Sequence, residues 1–351
     1  MNVLFISHDS NLTGAPIILL ELIKQFKLDY PSVNIEIISA NEGELTNEFK
    51  KFAPLTIWHV ELTKNKILNE LYNIIRRRIL SFKYLFKRYD IVLYNTICCF
   101  NFLEKFKSSK NVLYTLEMRN VALECAGSRE NYEKFIRSFN HIICANKIIE
   151  QTVKLLNDNA NTIVIEGFYR FNPENKLKDK KSLVIGSCGD PSYRKGFDIF
   201  LDVAKEFEKR NLPIKFVWVG NNNIVENSPT KNVTLIPKTN NPIEYFKQFD
   251  VFLLASREDP FPLVVIENAV LGTPIVCFNQ NNGVYALIES SNSGITVPFL
   301  AINKLVDAIV LLFKDKNTLL SMSLNAKSTF TKYELQSQNK KTIEFIVNST
   351  S

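Results

Sequence analysis

Two carboxylates eight residues apart, Asp259 and Glu267, are the residues from which a chemistry can be read. Asp259 lies in a turn broken by Pro260 and Pro262, and Glu267 lies in the middle of the apolar segment LVVIENAVL. A carboxylate among Val264, Val265, Ile266, Ala269 and Val270 is costly unless something hydrogen-bonds it. Either Glu267 and Asn268 form a narrow wet edge of a helix, or a ligand with hydroxyl groups satisfies Glu267. The two carboxylates share one loop–helix element, so they are poorly placed to flank a scissile bond as a glycosidase pair does.

A second group is cationic. Arg194 and Lys195, in GDPSYRKG, come just before a helix predicted over 197–210. The positive end of a helix disfavours cations. They are either a solvated surface pair or partners of an anion, and a diphosphate fits: Arg binds it as a fork, Lys as a point charge. Gly14 and Ala15 occupy a TGAP turn before a helix predicted over 17–26. Such a turn is either only a turn or an anion site built from free N–H groups. The helix that follows Pro262 opens with the N–H groups of Leu263 and Val264. These N–H groups, the two cations and the Gly14 turn are expected to converge on one diphosphate. Glu117, in YTLEM, closes a strand at a sheet edge, and no covalent nucleophile is evident.

The elements that must hold these residues alternate. Strands are predicted over 2–6, 34–39, 56–60, 90–95, 111–116, 141–145 and 162–167, with helices between them. A second series has strands over 182–186, 214–219, 233–236, 250–255 and 275–278, and helices over 197–210, 242–248, 263–271, 283–289 and 301–314. Short apolar runs bounded by Gly, Pro and Asn are the strand signal. The alternation implies parallel sheets with right-handed crossovers, and ligands bound beyond the carboxyl ends of the strands. The boundaries read as a first α/β domain over 1–168, a polar linker over 169–181, a second α/β domain over 182–332, and a C-terminal helical segment over 333–351.

The 351 residues suffice for two domains, and 46% hydrophobic with 23% charged residues is a globular composition. No apolar run reaches the roughly 18–20 residues of a membrane span. The first residues read as a strand rather than a signal peptide, so a cytoplasmic location is expected. Six cysteines (98, 99, 125, 144, 188 and 277) show no paired spacing and read as small buried hydrophobes of a reducing compartment. Three histidines, at 8, 59 and 141, give no metal-site spacing, so no metal is expected. The net charge of +7 favours anionic partners in general.

SREDPFPLVVIEN followed by GTPIV resembles the acidic signature of family 4 glycosyltransferases of the GT-B fold, with Asp259 where Glu is usual. The RKGFD pattern resembles that family's phosphate-binding Arg/Lys pair. The HDSNLTGAP loop is similar to its donor-diphosphate loop. The resemblance covers most of the chain and is strongest over 183–298. It implies two Rossmann-like domains facing across a cleft, the first on the acceptor side and the second binding the donor, with the C-terminal helix returning to the first.

It further implies that Asp259 binds hydroxyls of a donor sugar and Glu267 the ribose of its nucleotide. The implied reaction is a retaining transfer from a nucleotide-diphosphate sugar to a saccharide or lipid-linked acceptor, as in cell-surface polysaccharide or glycolipid synthesis, with no nucleic-acid partner. The leaving phosphate would help to deprotonate the acceptor. Where the family often has His before the acidic residue at Glu117, this chain has Leu116, and His8 is the possible substitute. An epimerase of the same architecture and a non-catalytic nucleotide-sugar-binding protein are the alternatives.

One stretch stands outside this scheme. RRRILSFKYLFKR, 76–88, mixes Arg76, Arg77, Arg78, Lys83, Lys87 and Arg88 with Ile79, Phe82, Leu85 and Phe86 at helical spacing. It is either an amphipathic helix packed on its own domain or one that lies on an anionic membrane.

Overall fold

The computed structural model describes residues 1–173, 182–220 and 230–348. Most of the expected linker, 174–181, lies outside the described residues. The chain divides into two compact units, Met1–Glu166 with Gln336–Ser351, and Gly167–Leu335.

The first unit has a seven-stranded parallel sheet: β1 (Asn2–Ser7), β2 (Asn34–Ser39), β3 (Leu55–Ile57), β4 (Arg88–Asn95), β5 (Lys107–Thr115), β6 (His141–Cys144) and β7 (Asn161–Val164). Their order in the sheet is β3-β2-β1-β4-β5-β6-β7. The sequence NVLFIS is buried from Val3 to Ser7, as a central strand covered on both faces requires. Between the strands run α1 (Gly14–Asp29), α2 (Thr46–Phe52), α3 (Lys66–Leu85), α4 (Arg119–Ala126), α5 (Arg129–Arg137) and α6 (Lys147–Leu156).

The second unit has a six-stranded parallel sheet: β8 (Leu183–Cys188), β9 (Ile214–Val219), β10 (Val233–Ile236), β11 (Val251–Leu254), β12 (Ile275–Phe278) and β13 (Gly294–Val297), in the order β10-β9-β8-β11-β12-β13. Its helices are α7 (Phe197–Lys209), α8 (Ile243–Phe246), α9 (Leu263–Val270), α10 (Tyr285–Ser291), α11 (Ile302–Lys314) and α12 (Lys316–Phe330). The last helix, α13 (Leu335–Asn348), joins the first unit: Asn339 Nδ2 donates to Glu21 O at 3.0 Å, and Lys110 Nζ to Ile346 O at 2.6 Å.

Several elements depart from the sequence expectations. Helix α1 begins at Gly14, so Gly14 is its first helical residue and not a turn ahead of it. Helices α4 and α12 and strand β13 had no counterpart. β13 is only four residues, and Gly294 lets it approach Ile275 of β12. α12 is capped by Asp315, whose carboxylate accepts from Asn317 N and Thr318 N at 3.0 Å. Its polar residues mask a buried stripe that includes Met322, Ala326 and Phe330.

The cysteines also depart from their reading as free thiols. Cys98 and Cys125 form a disulfide, with Cα atoms 4.7 Å apart, joining the short 3-10 turn Ile97–Phe102 to α4. Their sequence separation of 27 conceals the contact in the sequence. Cys99, Cys144 and Cys277 are buried thiols, and Cys188 is half-buried.

In the second unit, Gly186 leaves no room above β8, because a Cβ there would overlap the Phe249 ring. Gly186→Ala is expected to lower stability by about 1–3 kcal/mol through overpacking. Urea denaturation checks this, and an unchanged midpoint would show that the ring moves aside freely.

Candidate active site

Each sheet reverses its strand order once, between β1 and β4 and between β8 and β11. Such switch points open a crevice beyond the carboxyl ends of the strands. In the second unit this edge is built by the loop after β8 and the loop after β11. The first contains Gly189 at φ 142 and Gly196 at φ 70, both in the region that glycine tolerates. A Cβ at Gly196 would overlap the Ala255 carbonyl oxygen, so glycine is what lets the two loops touch.

That approach sets the main contact of the site. Lys195 Nζ lies 2.6 Å from Asp259 Oδ2, which also accepts from Ser256 Oγ at 3.2 Å. Asp259 is only 3% exposed. Its backbone is pinned too: Asp259 N donates to Asn281 O at 2.9 Å, and Gly283 N to Asp259 O at 3.0 Å. Arg194 is exposed and donates through Nη1 to Glu258 O at 3.0 Å. The anion nearest Lys195 is therefore a carboxylate of the same unit, where the sequence reading placed a ligand alone.

Arg257 was missed by the sequence reading. Its guanidinium donates to both oxygens of Asp198 at 2.8 and 2.6 Å and to Tyr193 O at 2.6 Å, and lies 3.6 Å above the Tyr193 ring. This clasp ties the β11 loop to the first turn of α7. The hydrogen bond and charge of Arg257 hold the Asp198 carboxyl below the usual carboxylate range. An acid in the first turn of a helix was the available signal.

Glu267 lies on α9 and is 6% exposed, and Asn268 is fully buried, so they form no wet edge. Among the described residues the Glu267 carboxylate accepts no hydrogen bond, and burial pushes it up to about 7 against the opposing pull of Arg170. Asn268 Nδ2 donates to Val264 O at 2.7 Å, while its buried Oδ1 has no partner among the described residues. The N-cap of α9 is Pro262, and Leu263 and Val264 open the first turn, whose N–H groups have no intrahelical acceptor. Cys188, at the end of β8, feels both Glu267 and Lys195: burial and the Glu267 charge push its thiol up to about 12, and Lys195 opposes them. Glu267 and Lys195 thus share one neighbourhood. No group of three His, Cys, Asp or Glu that could hold a metal occurs among the described residues.

The first unit places its candidates at its own switch point. Gly14 and Ala15 open α1, and a Cβ at Gly14 would meet no atom within 4 Å, so local packing does not demand the glycine. His8 follows β1, with Nδ1 3.2 Å from Thr96 Oγ1 and Nε2 3.5 Å from Asp9 Oδ2. Glu117 follows β5 and accepts from Ile97 N at 3.3 Å and Leu116 N at 3.0 Å. Burial raises its pKa, while those N–H groups and the His8 charge work against the rise. Thr96, fully buried at φ 103, is a β-branched residue in a strained conformation beside His8. Nothing in the sequence singles it out.

Two doubly wound units of this kind in one chain are the GT-B architecture. The crystal structure of Anabaena HepE in complex with UDP-glucose superposes with a TM-score of 0.76 at 14% identity, over 99% of this chain and 100% of that one. Residues 169–329 match the model of the glycosyl transferases group 1. An uncharacterized glycosyltransferase of Haemophilus influenzae is 33% identical over 163 residues, 43% of this chain and 45% of that protein. The capsular polysaccharide biosynthesis glycosyltransferase CapM of Staphylococcus aureus is 26% identical over 205 residues, 53% of this chain and 52% of that protein. The matches to these two relatives span about half of their length.

Two tests follow from the geometry. Removing one partner of a buried ion pair leaves the other charge uncompensated, at about 3–5 kcal/mol. Lys195→Ala should therefore lower the melting temperature of the ligand-free chain, and Asp259→Asn in that background should restore part of the loss. A Lys195→Ala variant as stable as the parent would show that the pair contributes nothing to folding. The second test is Glu267. An unfolded Glu titrates near ~4.3, and the folded residue near about 7. Its stability contribution is full below the lower value and is lost as pH rises through the upper one. Glu267→Gln should abolish that loss, worth up to about 3 kcal/mol, in urea titrations at about pH 5 and about pH 8. Equal pH slopes for parent and variant would place the titration elsewhere.

Proposed function

We propose that the chain is a family 4 glycosyltransferase that moves a sugar, with retention, from a nucleotide-diphosphate sugar to a saccharide or lipid-linked acceptor. The proposal includes a cytoplasmic location, a role in cell-surface polysaccharide or glycolipid synthesis, and independence of metal ions. The observation that carries it is Glu267, largely buried and without a hydrogen-bond donor among the described residues, near the Lys195–Asp259 pair at the switch point of the unit that matches the glycosyl transferases group 1 model. The assignments are Glu267 to the ribose hydroxyls, Asp259 to hydroxyls of the transferred sugar, and Arg194 and Lys195 to the diphosphate. The first-turn N–H groups of Leu263 and Val264, after Pro262, add donors to the phosphate. In the first unit, Gly14 and Ala15 are assigned to phosphate, and Glu117 to the edge where the sugar reacts.

The bond between the anomeric carbon and the donor phosphate breaks, and its electron pair stays on the leaving diphosphate. The acceptor hydroxyl oxygen forms the new bond to that carbon, and its proton passes to the leaving phosphate. Charge that grows on the diphosphate is stabilised by donors already in place. Arg194, exposed and tied among the described residues only to the Glu258 carbonyl oxygen, has guanidinium donors to spare for this.

The test is incubation of the full chain with UDP- and GDP-sugars, with and without saccharide acceptors, in the presence of a chelator. Release of nucleotide with transfer or hydrolysis of the sugar, and a product of unchanged anomeric configuration by NMR coupling, are expected. Sugar interconversion without release would mean an epimerase, and binding without turnover a non-catalytic protein. Arg194→Ala should lower kcat/KM by roughly 100- to 1000-fold, the loss typical of one preorganised donor. Because the charge grows in the transition state, kcat should fall with it.

A further inference from the structure

Helix α3 is built inside out. The residues it turns toward its own unit form a largely polar stripe. Asn73 exchanges hydrogen bonds with Val60, accepting from N at 2.9 Å and donating to O at 3.0 Å. Arg76 donates to Ile57 O at 2.7 Å, and the Tyr84 hydroxyl lies 2.8 Å from Thr56 Oγ1. Only Asn73, Leu80 and Tyr84 of this helix are buried.

On the opposite side, one or two turns apart, Leu71, Ile75, Phe82 and Leu85 stand in solvent. Of the nineteen exposed large hydrophobic residues among the described residues, ten fall between Ile67 and Phe86. Phe82, 67% exposed, and Phe86, 77% exposed, meet edge to face at 5.5 Å with little else around them. A surface helix normally shows the reverse polarity, and an apolar patch of this extent marks a binding surface.

The charge says what the surface binds. Residues 66–88 hold seven basic residues and one acidic, Glu70, which is paired with Arg77 at 2.9 Å. This stretch supplies six of the chain's seven net charges. Beside the apolar face, Arg77, Arg78 and Lys105 share a shallow groove of about 650 Å³ with Ile74, Phe82 and Leu85. A second copy docking face to face through a two-fold axis would set this positive field against itself. An anionic lipid surface satisfies both features, since phosphate headgroups attract the cations while the rings and aliphatic chains enter the acyl boundary.

We infer that α3 docks the protein on an anionic membrane, lying in the interface with Leu71, Ile75, Phe82, Leu85 and Phe86 inserted. Arg78 and Lys83 are held at headgroup level. No helix among the described residues is long and apolar enough to cross a membrane, so this contact is peripheral. It does not depend on the transferase reading, because the surface is complete without donor or acceptor.

The test is co-sedimentation of the full chain with phosphatidylcholine vesicles with and without phosphatidylglycerol, no nucleotide sugar being present. Binding should require the anionic lipid and weaken as salt shortens the screening length from roughly 10 Å toward 3 Å. Arg78→Glu with Lys83→Glu should lower the partition coefficient by about tenfold or more, and Phe82→Ser with Phe86→Ser by a similar factor. Both variants should keep the parent's melting temperature to within a few degrees, because Arg78, Phe82 and Phe86 are exposed and Lys83 contributes only its position 5.4 Å from the Tyr84 ring centroid. Equal binding to neutral vesicles, no binding at all, or variants that bind like the parent would overturn the inference. So would a concentration-dependent dimer in sedimentation velocity that only the Phe82→Ser, Phe86→Ser variant abolishes.

Discussion

The contact between Lys195 and Asp259 constrains the second unit more than any other interaction at the site. Taking both ions out of water costs several kcal/mol each, and only close geometry with further hydrogen bonds offsets that. Every local feature of the loops serves this end. Gly196 lets the β8 loop come down on Ala255, Arg257 locks it through Asp198 and Tyr193, and Ser256 adds a hydrogen bond to the same carboxylate oxygen. A salt bridge held this way is weak evidence for stability and better evidence for position. The two strands on either side of the switch point are clamped at the end where a ligand would sit.

Glu267 makes the contrast. It lies on the helix that follows the Asp259 loop and is largely hidden from water, yet it has no hydrogen-bond donor among the described residues. Asp259 has two. One unit thus holds two carboxylates with different degrees of satisfaction: Cys188 feels Glu267 and Lys195, and Lys195 binds Asp259. A carboxylate with so little access to water and no protein donor is poorly satisfied when the site is empty, and a ligand hydroxyl that donates to it recovers part of that energy on binding. The orphaned Asn268 oxygen, next in sequence, repeats the pattern.

Much of this was legible in the sequence where a local pattern determined it. The apolar run of β1, the helix ending at Gly272, and the alternation of strands and helices follow from periodicity and turn chemistry. Asp259 and Glu267 stood out because a charge in an apolar or proline-broken segment is locally anomalous. What escaped depends on residues distant in the chain. Lys195 and Asp259 are 64 residues apart, and their pairing replaced an expected ligand with a side chain. Cys98 and Cys125 meet only because the 3-10 turn packs on α4. Thr96, just after β4, has a positive φ that no property of threonine announces.

Helix α3 shows a different limit. Its periodicity was visible, but a helical period reveals that a stripe exists, not which way it points. Two stripes compete along Lys66–Leu85, one apolar and one carrying Asn69, Asn73, Arg76 and Tyr84. Hydrophobic burial alone would turn the apolar stripe inward. The polar stripe prevails because the end of β3 and the loop after it leave part-buried backbone groups at Ile57 and Val60 that need partners, besides exposed ones at Leu62 and Thr63. The side chains of Arg76, Asn73 and Asn69 supply them. An unsatisfied backbone group costs about 1–3 kcal/mol when buried, comparable with what one buried Leu or Phe returns. Several such groups together can therefore reverse the usual polarity of a surface helix.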